Sequence, residues 1–161
     1  VRRRIIREKV VQALYAHEIS GDPVEHVVNT ILTPLSGNQA AYEFAKSLVA
    51  ETVKRGEEVD EVIRQRVTNW DFKRIATLDR LILRMAICEL LYFKDIPPKV
   101  TMNEAIELAK LFSTDRSSQF VNGVLDAILS EMKASGEIEK TGRGLYEGES
   151  QPRHRRSKKS T

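Results

Sequence analysis

A chain of 161 residues, 41% hydrophobic and 6% aromatic, is long enough for one domain with an aliphatic core and too short for two. Its formal charge of +3 is unevenly placed: residues 1–136 carry 19 basic and 19 acidic side chains, and the last 25 residues carry 7 and 4. The balance excludes a uniformly basic nucleic-acid binder, leaving local patches to hold any polyanion, and the short apolar runs exclude a membrane-spanning helix.

The first element is an amphipathic helix. Ile6, Val10, Ala13, Leu14 and His17 follow the spacing of a buried stripe. The neighbouring face carries Arg4, Arg7, Val11, Tyr15 and Glu18, so an aromatic ring follows the last of these cations by about two turns. Arg2, Arg3, Arg4 and Arg7 gather at the helix end where the macrodipole favours anions. A bound polyanion is the simplest gain that offsets this arrangement, and a solvated basic arm is the plainer alternative.

Gly21-Asp22-Pro23 ends that helix and starts the next, with Asp22 as N-cap and Pro23 in the first turn. Val24, Val27, Val28, Ile31 and Leu32 mark this second, short helix, and residues 34–38 form a loop. Phe44, Ala45, Leu48, Thr52 and Val53 carry a third helix that ends near Gly56. Val59, Val62, Ile63 and Val67 carry a fourth, and Asp71 caps one short turn. The stretch from Leu78 to Leu91, capped by Thr77, is apolar on nearly every side and belongs in the middle of a bundle. Pro97-Pro98 stops it, and Thr101 to Glu104 reads as a capping box for a sixth helix through Phe112. After a polar link over 113–118, Val121, Val124, Leu125, Ile128 and Met132 define a last long helix.

No segment alternates with period two. The expected fold is all-α, a single-domain bundle of about seven helices over residues 1–136, with 137–161 a disordered basic tail.

Nothing in this pattern assembles a reaction centre. His17 falls on the core stripe, His26 on the short helix and His154 in the tail. With no His pair at i, i+4 and no second cysteine, no metal site is expected. No glycine-rich phosphate loop or serine nucleophile elbow is present, so neither catalysis nor a cofactor is expected. Glu57, Glu58, Asp60 and Glu61 read as a solvated face. The lone Cys88 and the lack of an apolar signal segment fit a reducing, cytoplasmic setting.

The last helix adds a second feature. Phe120 lies on its flank, with Gln119, Gly123 and Asp126 further round. Glycine within a helix costs about 1 kcal/mol against alanine, which points to close approach by another backbone or a ligand at Gly123. The plain readings are a core-edge ring for Phe120 and a half-buried one for Tyr15. Arginines combined with such rings point instead to RNA, where unpaired bases stack on aromatics while cations hold phosphates.

These residues carry a family resemblance. Arg2-Arg3-Arg4 with Arg7-Glu8, Val11-Gln12-Ala13-Leu14-Tyr15, Leu83-Arg84-Met85-Ala86, Glu89-Leu90-Leu91 and Pro97-Pro98-Lys99-Val100 are followed by Asn103 to Lys110 and Phe120 to Asp126. In this order they resemble the NusB family of bacterial transcription antitermination factors, over most of residues 2–130. The resemblance implies two packed helical subdomains and a non-enzymatic role. It also implies binding of boxA-type single-stranded leader RNA together with the ribosomal protein NusE, within an RNA polymerase antitermination complex that supports ribosomal RNA transcription and processing. By position it assigns Arg2, Arg3, Arg4, Arg7, Gln12 and Tyr15, joined by Gln119 and Phe120, to RNA, and Asp79 to the NusE-facing side. Ile5 and Gln119 stand where cations are common in the family, and Arg116 where an acid can occur. The alternatives are an N-terminal module related to ribosomal RNA cytosine methyltransferases, and a structural homodimer that hides the basic face.

Overall fold

The computed structural model describes residues 2–146. Val1 and residues 147–161, with His154 and the basic run from Arg153, lie outside the described residues. Among the described residues there are eight α-helices and no strand.

Helix α1 (Arg3–Ser20) buries Ile6, Val10, Ala13 and Leu14 along the expected stripe. It ends at Gly21, whose left-handed φ of 71° lets its N–H reach the His17 carbonyl at 3.0 Å. His17 is not a core residue: it is half-buried, and its Nδ1 donates to the Asp22 carbonyl at 2.6 Å. Helix α2 (Val24–Ile31) takes Pro23 as its N-cap, one residue later than expected, and a 3₁₀ turn over Thr33–Leu35 occupies the expected loop. Helix α3 (Gln39–Lys54) is capped by Asn38, whose side chain accepts from Ala41 N–H at 3.1 Å.

Helices α4 (Gly56–Arg64) and α5 (Asn69–Arg74) follow. Thr68, not Asp71, caps α5 by accepting from Asp71 N–H. Helix α6 (Thr77–Tyr92) is the central element: Leu81, Ile82, Leu83, Met85, Ala86, Ile87, Cys88 and Leu90 are all at most 2% exposed. Each large aliphatic side chain there contributes about 1.5–3 kcal/mol of burial. Its N-cap is Ala76, which has no side-chain oxygen to offer, so the expected cap at Thr77 does not form.

Helix α7 (Pro98–Phe112) begins three residues before the expected capping box. Proline at the first helical position brings its φ already set, so Thr101 falls inside the helix. Its hydroxyl donates instead to Glu89 Oε1 at 3.0 Å. Helix α8 (Asp115–Ala134) starts inside the expected link because Thr114 accepts from Ser117 N–H at 3.0 Å.

Helices α1–α3 pack on one another, α4, α7 and α8 pack around α6, and α1 and α3 join the two subdomains by packing against α6. Charged pairs tie the layers. Arg7 of α1 meets Glu89 of α6, with Nε to Oε2 at 2.9 Å, and Arg84 of α6 meets Asp60 of α4, with Nε to Oδ1 at 2.7 Å. Asp60 is therefore buried and paired, not part of a solvated acidic face. Arg7 and Glu89 are 2% and 0% exposed, and the guanidinium also sits 5.2 Å from the Phe44 ring centre.

Beyond α8 the chain turns back onto the body, although disorder was expected from residue 137. Ile138 packs against the core and Thr141 N–H donates to the Lys94 carbonyl at 2.9 Å. A second 3₁₀ turn over Gly142–Leu145 brings Gly144 against the backbone of Lys94.

Candidate nucleic-acid interface

The arginines at the start of α1 fall into three environments, set by how far along the helix each sits and which partner it meets, since at 100° per residue Arg7 falls between Arg3 and Arg4. Arg2 and Arg3 are exposed, and among the described residues no side chain or carboxylate pairs with their guanidinium groups. Arg4, one step further round, reaches Glu104 of α7 with Nε to Oε2 at 3.2 Å, yet its side chain stays 43% exposed. Arg7, another turn inward, is buried against Glu89. Its guanidinium is thus already committed to a carboxylate, which leaves little of it for the RNA contact expected by position. Its role is to join α1 to α6, and through the Thr101 hydroxyl on the same carboxylate to α7.

Gln12 and Tyr15 lie on the exposed side of α1, with Tyr15 41% exposed. Lys9 adds a cation there that the sequence reading missed, its Nζ donating to Gln12 Oε1 at 3.4 Å, although the i, i+3 spacing of the two was visible. At the far end, Glu18 is paired with Arg80 of α6, which limits its repulsion toward an anion on this face.

Gln119 is exposed on α8 and Phe120 is half-buried against the core. Phe120 shares a surface depression of about 580 Å³ with Asp79, Ser117, Arg116 and Arg74. The residues assigned by position to RNA and to a partner protein therefore meet here. Asp79, 6% exposed, accepts from Ser117 Oγ at 2.9 Å through Oδ2, while its buried Oδ1 has no hydrogen-bond partner among the described residues. Burial pushes the Asp79 carboxyl above its ordinary range, and the Ser117 hydrogen bond acts against that shift. Among the described residues no backbone approaches Gly123 closely, since a Cβ added to it would have nothing within 4 Å.

Among the described residues no cluster of three or more His, Cys, Asp or Glu side chains could hold a metal ion, and no helix is long and apolar enough to cross a membrane. Burial raises the Cys88 thiol to about 12, which leaves it protonated and a poor nucleophile. Exposed guanidiniums, an amide and a ring on the outside of a packed helical bundle are the chemistry of a nucleic-acid-binding helical module.

Comparison with known proteins supports that class. A family model for the NusB family matches residues 4–130. The transcription antitermination protein NusB of Salinibacter ruber is 47% identical over 144 residues, which span 89% of this chain and 90% of that protein. T. maritima NusB has a similar structure, with a TM-score of 0.75 at 36% identity over 81% of this chain and 92% of that one. A chain from the crystal structure of antitermination factors NusB and NusE in complex with dsRNA gives a TM-score of 0.73 at 28% identity, over 80% of this chain and 96% of that one. The chain belongs to the NusB family. These relatives do not favour the methyltransferase alternative.

Proposed function

We propose that this protein is an RNA-binding transcription antitermination factor, acting in the cytoplasm with NusE and RNA polymerase on boxA-type leader RNA and catalysing no reaction itself. The observation that carries the reading is the outer face of α1: unpaired Arg2 and Arg3, half-exposed Arg4, and Tyr15 with its ring open to solvent. Cations at one end hold phosphates while amide and ring meet bases, a division of labour suited to an unpaired strand. The relative solved with NusE and dsRNA supports both partners. In this proposal Gln119 and Phe120 of α8 extend the RNA face, and Asp79, in the depression that Phe120 also lines, marks the NusE-facing side.

The test is fluorescence anisotropy with a labelled boxA-containing single strand, its scrambled version and a matching duplex, each with and without NusE. The boxA strand should bind tightest and NusE should strengthen that binding. The variant Arg3→Glu/Arg4→Glu should weaken it by an order of magnitude or more, with an unchanged helical circular dichroism spectrum. Unchanged affinity in that variant would remove the α1 face from the proposal.

A further inference from the structure

We propose, on the basis of the RNA-binding reading above, that the segment 138–146 is part of the RNA surface and that Arg143 and Tyr146 complete a groove with Arg3. The groove has a volume of about 920 Å³. Arg3 and Ile6 of α1 form one wall, Asp95 to Pro97 and Val100 another, and Gly142, Arg143 and Tyr146 a third. Phe44 and the buried Arg7 lie at its base.

The third wall is held in place by contacts to the end of α6 and the turn after it. Lys140 Nζ donates to the carbonyls of Glu89 at 3.1 Å and Phe93 at 2.9 Å, satisfying the carbonyl end of α6. Lys94 pairs with Glu139 at 3.2 Å and accepts from Thr141 N–H at its carbonyl. Gly144 lies so close to this backbone that an added Cβ would collide with the Lys94 carbonyl oxygen, so only glycine fits. The segment is thus fixed before any ligand arrives, which lowers the entropic cost of using it.

What it presents fits a strand of RNA. Arg143 is exposed and Tyr146 is 54% exposed. Glu89 already neutralises Arg7, so the groove's free charges are Arg3 and Arg143 against the single carboxylate of Asp95. Two guanidiniums suit one phosphate, and the Tyr146 ring offers a face to the adjoining base.

The experiment compares binding of the labelled boxA single strand by full-length wild type, Arg143→Ala/Tyr146→Ala, Gly144→Val, Arg3→Glu/Arg4→Glu, and a variant with Arg153, Arg155, Arg156, Lys158 and Lys159 changed to glutamine. Arg143→Ala/Tyr146→Ala should weaken binding about tenfold and flatten the log-log salt slope by about 0.7, the loss of one phosphate. Gly144→Val should lose as much while keeping both side chains, because the wall is displaced. Full affinity in Arg143→Ala/Tyr146→Ala, with binding lost in Arg3→Glu/Arg4→Glu, overturns the groove and leaves the α1 reading standing. Loss in neither variant overturns both. A slope that falls only in the tail variant, or tighter binding by that variant, also overturns the groove, since the tail would then be the source of charge or the occupant.

Discussion

Replacing Arg7 with alanine should damage folding more than RNA binding, and the structure sets the scale. The Arg7 and Glu89 side chains are 3% and 1% exposed, so removing the guanidinium strands a carboxylate with the Thr101 hydroxyl as its remaining side-chain donor. Breaking one side of such a buried pair costs about 3–5 kcal/mol. Loss of the cation from the Phe44 ring, 5.2 Å away, adds about 1 kcal/mol. Against a typical domain stability of about 5–15 kcal/mol this is a large fraction, equivalent to about 10–20 °C in Tm for a chain of this size. Arg4→Ala, which opens a half-exposed pair with Glu104, should cost less than about 1 kcal/mol. Urea unfolding followed by circular dichroism measures both, with a shifted midpoint and an unchanged slope. The variant Arg7→Met/Glu89→Leu, which removes both charges, should recover most of the loss. If Arg7→Ala stays within about 1 kcal/mol of wild type while losing RNA affinity, the pair is not structural and the assignment of Arg7 is refuted.

Three further outcomes follow from single residues. The Asp79 carboxyl is raised in the folded state, so the folded protein holds its proton more tightly than the unfolded chain; the burial penalty is present above the folded value and is relieved as pH falls toward the ordinary 3.8. Wild type should therefore gain stability relative to Asp79→Asn as pH is lowered through that window, and a pH-independent difference between their urea midpoints would contradict it. Gly123→Ala should raise stability by about 1 kcal/mol, since open space surrounds the site and helix propensity alone decides the sign. Cys88, with its thiol at about 12, should resist a disulfide reagent at pH 8 in the native protein and react on unfolding.

The helical framework was readable because its signals are local. The stripe of α1 and the nearly all-round apolar surface of α6 follow from spacing within one or two turns, and both are buried as expected except at His17. The exposed half of the candidate face was readable for the same reason, in Arg2, Arg3, Gln12 and Tyr15. What escaped depended on distant partners. Arg7 looks like its neighbours in sequence, and only Glu89, 82 positions away, marks it as an interior residue. Thr101 presents a capping pattern, yet Pro98 starts the helix first and frees its hydroxyl for Glu89. Arg143 and Tyr146 sit in a stretch whose polar composition suggests disorder. The contacts that fix it include Lys140 donating to carbonyls of α6, the Lys94–Glu139 ion pair, a backbone hydrogen bond and a glycine fit against Lys94, which leave no trace in hydrophobic periodicity.

The most direct test of the α1 surface is the salt dependence of boxA single-strand affinity for wild type beside Arg3→Ala and Arg4→Ala. Each lost phosphate contact should flatten the log-log slope by about 0.7 and weaken binding at low salt more than at high salt. Slopes indistinguishable from wild type in both variants would mean that these guanidiniums do not touch the strand.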